Sequence, residues 1–152
     1  EVERIMGFSP LTGEVFEALS QHTILRHSLE RTGSNTEFFN TKVHQLASTS
    51  TSIEGELFGL RARHLLEGCN TDQLNQELSA LLIMSELRAG QNDGYSLDDN
   101  LVLIGSEGLT SLYKMALECL HKNPSCMRGT GLVWPALYDI ACKSHLLAGT
   151  RA

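Results

Sequence analysis

Apolar residues recur along this chain mostly with the period of about 3.6 residues that marks helices. After Thr12, a good helix cap, the residues Val15, Ala18, Leu19, His22, Leu25 and Leu29 fall on one stripe, and Gly33 predicts its end. Thr36 predicts a second start, with Phe39, Val43 and Leu46 facing inward. The polar residues 48–52 interrupt the period as a short connection. Ile53, Leu57, Leu60 and His64 then form one row, closed by Gly68. Asn70 with Gln73 fits a capping box, and Leu74, Leu78, Leu81, Leu82 and Ser85 make the clearest helical stripe of all.

Two segments read differently. In residues 1–11, Val2, Arg4, Ile5, Met6 and Phe8 form a loose alternation bounded by Gly7 and Pro10, which predicts a strand or half a hairpin. Residues 90–100 read as a surface loop. Leu101-Val102-Leu103-Ile104 is an unbroken apolar run, the signature of a strand buried on both faces. Gly105-Ser106-Glu107-Gly108 follows, then a predicted helix over 109–121 and a loop over 122–131. A last helix opens at Trp134-Pro135, with Leu137, Ile140, Ala141 and Leu147 inward. One buried strand cannot satisfy its own backbone edges. The pattern therefore predicts a helix-rich α/β fold with an incomplete sheet. Residues 1–152 form one domain that borrows strands from sequence outside this chain, and a start at Glu1 rather than Met agrees with that expectation.

Composition narrows the function. With 41% hydrophobic and 20% charged residues, the chain is an ordinary globular domain. A net charge of -6 argues against a nucleic-acid surface. No apolar run approaches the roughly 20 residues that span a bilayer. Cys69, Cys119, Cys126 and Cys142 form no Cys-x-x-Cys pair, so the cysteines predict free thiols in a reducing, cytoplasmic setting. Cys119 and Cys142 fall in helical patterns, where burial is expected.

The strand–glycine–helix unit at 101–110 is the strongest chemical candidate. A turn without side-chain bulk at Gly105 lets backbone N–H groups and the Ser106 hydroxyl approach a nucleotide, and the helix dipole favours a phosphate. Glycine also suits any strand-to-helix turn, and neither Gly-x-Gly-x-x-Gly nor a P-loop is present. Thr12-Gly13-Glu14 opens a helix directly after a predicted strand; it reads as plain capping or as a hold on sugar hydroxyls. His22 and His64 sit on apolar rows and read as core residues. Arg61 and Arg63 lie about 200° apart on their helix, so only one can face a cleft, and Arg61 is the candidate for a carboxylate contact. Glu86, on a strongly apolar helix, needs a partner that local sequence does not name. Histidine spacing predicts no metal site, and no nucleophilic triad declares itself.

Taken together, these pieces resemble one family. The run from Ile5-Met6-Gly7-Phe8 through Thr12-Gly13-Glu14-Val15-Phe16 to His22-Thr23-Ile24-Leu25 is similar to the 2-dehydro-3-deoxygalactonokinases, whose strand ends in Thr-Gly-Glu-Leu-Phe before a His-Ser-Ile-Leu segment. Leu57-Phe58-Gly59-Leu60-Arg61 resembles their Leu-Phe-Ser-Val-Arg helix, and Leu81-Leu82-Ile83-Met84-Ser85-Glu86 their Leu-Leu-Ile-Gly-x-Glu segment. The Leu103-Ile104-Gly105-Ser106 turn before a helix holding Leu112-Tyr113 matches in kind and order. The resemblance covers about the C-terminal half of such a kinase. It implies the C-terminal, nucleotide-side lobe of a ribonuclease H-like, actin-like ATPase fold, acting with an N-terminal lobe absent from this chain. It also implies ATP and Mg2+, and phosphoryl transfer to 2-dehydro-3-deoxy-D-galactonate. Gly105, Ser106 and Glu107 would line the adenosine pocket, with Thr12, Gly13 and Glu14 on the sugar side of the cleft.

Some features depart from the family or lie outside this chain. The phosphate hairpin, Asp-Trp-Gly-Thr-Thr, and the Pro-Gly-Thr-His-Ser-Lys segment belong upstream, so the catalytic acid or base is not assigned. Met84 stands in place of glycine, and Trp134-Pro135 in place of small residues. A non-catalytic helical remnant, a kinase for another sugar, and a homodimer stay open.

Overall fold

The computed structural model describes residues 11–29, 36–49, 52–98 and 100–143. Among them six helices and two strands follow in the order α1 (Thr12–His22), α2 (Thr36–Ala47), α3 (Ile53–Glu67), α4 (Thr71–Asn92), β1 (Val102–Gly105), α5 (Glu107–Cys119), β2 (Ser125–Arg128) and α6 (Val133–Lys143). The strand predicted in residues 1–11 and the inward Leu147 lie outside the described residues.

The middle helix, α4, organises the rest. Apolar side chains on several of its sides bury it among its neighbours, as expected for a helix without a single polar face. One side, with Ala80, Ile83, Met84 and Leu87, packs with Phe39, Val43 and Leu46 of α2 and with Tyr113, Ala116 and Leu117 of α5. The other, with Leu74, Leu78 and Leu82, packs with Leu60 of α3 and with Leu25 and Leu29. Met84 is a buried core residue.

Local signals set several boundaries. Ser52 accepts from Gly55 N–H at the start of α3, and Gly68 ends that helix at φ 64°, donating back to Arg63 C=O. Asn70 Oδ1 accepts from Asp72 N–H at 2.8 Å to open α4. Arg88 of α4 donates to the carbonyls of Leu46 and, at 2.6 Å, Thr49, covering the C-terminal end of α2.

The first helix departs from its predicted stripe. It stops at His22, where Thr23 is extended; the Thr23 hydroxyl donates to Leu19 C=O and accepts from Leu25 N–H. A threonine that bonds its own backbone in this way competes with the helical ladder. A 3-10 turn over Ile24–His27 follows. Leu25 and Leu29 are buried as predicted, but the inward row of α1 is Thr12, Phe16, Leu19 and Ser20, so Val15, Ala18 and His22 are exposed and His22 is not a core histidine. The single long helix of the sequence pattern is two elements, and the break rotates the face.

The sheet corrects three further expectations. Residues 125–128 form a strand, parallel to β1, where the sequence predicts a loop. β1 is not buried on both faces: Val102 and Ile104 alternate outward while Leu101 and Leu103 pack on the helical core. The last helix is largely solvent-facing: Leu137, predicted inward, and Cys142, expected buried, are both exposed, as is Trp134. Both β1 and α6 keep apolar side chains exposed among the described residues. Two boundaries also move: α4 extends to Asn92, into the predicted loop, and α5 begins at Glu107.

Candidate functional site

The two parallel strands end side by side. Gly105 is in register with Arg128, and Gly129 follows so closely that a Cβ there would lie 3.6 Å from the Gly105 backbone. A Cβ at Gly105 would meet the Thr110 methyl at 3.3 Å. Both chain segments thus leave the sheet without side-chain bulk at their junction. The α5 helix begins at the next step. Ser106 is its N-cap residue, yet its side chain makes no cap hydrogen bond and is exposed. Glu107 pairs with Arg128 at 3.0 Å, and both side chains are largely exposed, so this pair adds little stability. The sequence singled out 105–107 and missed Gly129 and Arg128, whose strand was too short to carry a periodic signal.

A second constellation joins three helices. The Glu86 carboxyl group accepts from Leu11 N–H at 3.1 Å and from the hydroxyls of Thr12 and Tyr113. Those two hydroxyls are themselves 2.6 Å apart. Three oxygens therefore share two hydroxyl protons, so each hydroxyl donates either to the carboxyl group or to its neighbour. Burial raises the Tyr113 phenol well above its ordinary range, the bond to Glu86 raises it further, and the Thr12 contact opposes this. The phenol stays protonated and available as a donor. Glu86 also places an acidic group at the N-terminus of α1, where the dipole favours it. This names the partner that local sequence could not. Tyr113 lies six residues into the helix that starts at Glu107, about 9 Å along its axis, so α5 ties this cluster to the glycine turn. Beside it, Gly13 has nothing within 4 Å of where its Cβ would be, and Glu14 is exposed.

The arginines divide as their spacing requires. Arg61 donates to Ser28, a fully buried residue, at 2.8 Å. Arg63 turns to Glu77 of α4 at 2.7 Å, where Lys42 of α2 meets the same oxygen at 2.7 Å. Glu77 escaped sequence reasoning because a glutamate amid leucines carries no sign of two distant cations. His64, on its predicted row, is half-buried. Among the described residues, no group of three or more His, Cys, Asp or Glu side chains is placed to hold a metal ion, and no helix is long and apolar enough to cross a membrane.

Comparison with known proteins extends these observations. Residues 1–140 match the model of the 2-keto-3-deoxy-galactonokinase family. A protein of Rhizobium meliloti (strain 1021), named for 2-dehydro-3-deoxygalactonokinase activity, is 34% identical over 99% of this chain and 47% of its own length. The 2-dehydro-3-deoxygalactonokinase of Escherichia coli (strain K12) is 25% identical over 86% of this chain and 44% of its own. A crystal structure from Sinorhizobium meliloti, described by the same enzyme name, superposes with a TM-score of 0.73 at 31% identity, over 89% of this chain and 46% of that one. This chain spans about half the length of each.

Proposed function

The chain belongs to the 2-keto-3-deoxy-galactonokinase family, and on that premise we propose that it is the nucleotide-side lobe of an ATP-dependent sugar-acid kinase. In this reading it is the C-terminal lobe of an actin-like, ribonuclease H-like fold. With the N-terminal lobe, it transfers the terminal phosphoryl group of ATP to a hydroxyl of 2-dehydro-3-deoxy-D-galactonate, in a cytoplasmic setting with which four free cysteines agree.

The observation that carries the reading is the meeting of Gly105 and Gly129 at the C-terminal ends of two parallel strands, with a helix starting directly after. In open α/β sheets, ligands lie outside the carboxyl ends of the strands. Bare backbone there admits the nucleotide, the Ser106 hydroxyl donates to it, and the first N–H groups of α5 face anionic oxygens. Glu107, itself anionic, suits ribose hydroxyls rather than phosphates.

On the sugar side, the exposed Glu14 accepts from substrate hydroxyls, while Thr12, held by Glu86 and Tyr113, fixes the segment that carries it. Arg61 commits one of its five N–H donors to Ser28 and keeps others for the sugar carboxylate. These residues orient the reactants for in-line transfer, where positioning and charge supply most of the catalysis. Mg2+ would arrive with the ATP phosphates and supply charge neutralisation.

Calorimetric titration with MgATP tests this, on the chain and on the completed two-lobe enzyme. Gly105→Val drives a branched side chain into Thr110 and is expected to weaken binding at least about tenfold, roughly 1.4 kcal/mol, with an unchanged circular dichroism spectrum. Unchanged affinity in the variant, or no binding by the folded two-lobe enzyme, overturns the reading.

A further inference from the structure

The segments assigned above to nucleotide and to sugar rest on different parts of the core. The helix α5, which begins at the Gly105–Ser106 turn, packs through Tyr113, Ala116 and Leu117 in the cluster on one side of α4. The helix α1, which carries Thr12-Gly13-Glu14, packs through Phe16 and Leu19 on the other. Apolar packing is not directional, whereas phosphoryl transfer loses rate steeply when reactants are misplaced by as little as about 1 Å. A directional link between the two helices therefore has a use that burial alone does not supply.

The polar cluster is such a link. The Thr12 and Tyr113 hydroxyls lie 2.6 Å apart on buried residues, and both also reach Oε2 of Glu86. Oε1 of the same carboxyl group accepts from Leu11 N–H at 3.1 Å. Glu86, on α4, thus sets the backbone entry to α1 with one oxygen and the relation of α1 to α5 with the other. Hydrogen bonds fix angle as well as distance, and a satisfied network in the interior specifies one arrangement. Each of the three side chains also stands in a segment that carries the family resemblance: Thr12 in Thr12-Gly13-Glu14, Glu86 at the end of the run from Leu81, and Tyr113 in Leu112-Tyr113. Segments up to 101 residues apart converge on one cluster.

We propose that Glu86 and Tyr113 are positioning residues of the kinase, holding Thr12-Gly13-Glu14 against α5 so that nucleotide at the glycine turn and sugar acid at Glu14 each tighten the other. The proposal rests on the functional reading above and adds to it the route by which the two sites communicate. Neither residue needs to touch a reactant. A ligand that favours one placement of the first turn of α5 favours, through Tyr113 and Thr12, one placement of Glu14, and by linkage the effect is mutual.

Calorimetric titration of the two-lobe enzyme with MgADP, without and with saturating 2-dehydro-3-deoxy-D-galactonate, reads this coupling without turnover. In the natural protein the sugar acid is expected to tighten MgADP by at least about fivefold. Tyr113→Phe keeps the ring in the core and removes one hydroxyl; it is expected to cut the tightening below about twofold while shifting MgADP affinity in the absence of sugar by less than about twofold. Glu86→Leu abolishes the tightening as well. Thr12→Val does the same, and the Thr12→Val, Tyr113→Phe double variant loses no more than either single one, because both hydroxyls serve one link. Val43→Ala, a core truncation on α2, lowers stability and leaves the coupling intact.

Tightening that survives either Tyr113→Phe or Glu86→Leu overturns the proposal. So does tightening that falls equally in Val43→Ala, which would make the cluster a matter of stability alone. MgADP binding that the sugar acid does not change in the natural protein sinks the coupling and leaves the functional reading standing. No MgADP binding by the folded two-lobe enzyme, with or without the sugar acid, sinks the functional reading itself.

Discussion

On α4, Leu78 and Ile83 lose all exposure to solvent, whereas on β1, Val102 and Ile104 keep half or more of theirs. Four comparably apolar residues thus have opposite fates some 20 residues apart in one chain. Among the described residues, α4 is buried by α2, α3 and α5. Among the same residues, β1 finds one neighbouring strand and one covering helix. The difference teaches that α4 is buried from several sides while β1 is covered from one, because helices close their hydrogen bonds internally and strands do not.

The sharpest way to break that comparison is to remove core volume from each side. Leu78→Ala, at a fully buried position, is expected to destabilise the chain by about 3 kcal/mol in urea unfolding. Equal effects at Leu78 and at Ile104 would refute the contrast. A smaller loss, about 2 kcal/mol, is expected for Glu77→Ala. It leaves Lys42 and Arg63 facing each other without their shared carboxyl group, and their partial exposure softens the usual cost of an unpaired buried charge. Loss of stability confined to high salt would contradict this, since screening should shrink the effect of the variant.

The Tyr113 phenol supplies a pH test of the helical side. Its folded value is raised mainly by burial, then by Glu86, so between the ordinary phenol value of about 10 and the folded value the unfolded chain alone releases the proton. The contribution is complete below about pH 10 and declines as pH rises above it. Thermal denaturation should show that decline in the natural chain and not in Tyr113→Phe; identical profiles would mean the phenol is not held in the folded state. The smallest effect is expected at the sheet. Ile104→Ser should change the stability of the isolated chain by less than about 0.5 kcal/mol, as for an exposed position, when measured by the same unfolding curves.

Where the sequence could be read, it was read through local chemistry. The rows on α2, α3 and α4 are legible because a helix repeats its face every few residues, and Gly68 is legible because a left-handed φ favours glycine. The 105–107 turn was visible as a glycine between an apolar run and a helical stripe. Thr23 was harder, since its backbone-bonding side chain looks like any threonine on a stripe, and the missed break turned His22 outward. β2 was missed because four exposed residues, Ser125, Cys126, Met127 and Arg128, carry no burial pattern for their neighbours to impose.

The sequence by itself determined that α3 ends at Gly68 and that α4 opens at Asn70, which faces of α2, α3 and α4 turn inward, and that a glycine turn follows a strand. It also carried the family resemblance, in short motifs in a fixed order. Tertiary structure alone decided that Thr12 and Tyr113, 101 residues apart, meet over Glu86, that Gly129 closes against Gly105, and that Glu77 gathers two cations. The physical reason is range. Periodicity and capping act over a few residues of backbone, whereas a hydrogen bond between distant side chains exists only after packing has brought their helices together.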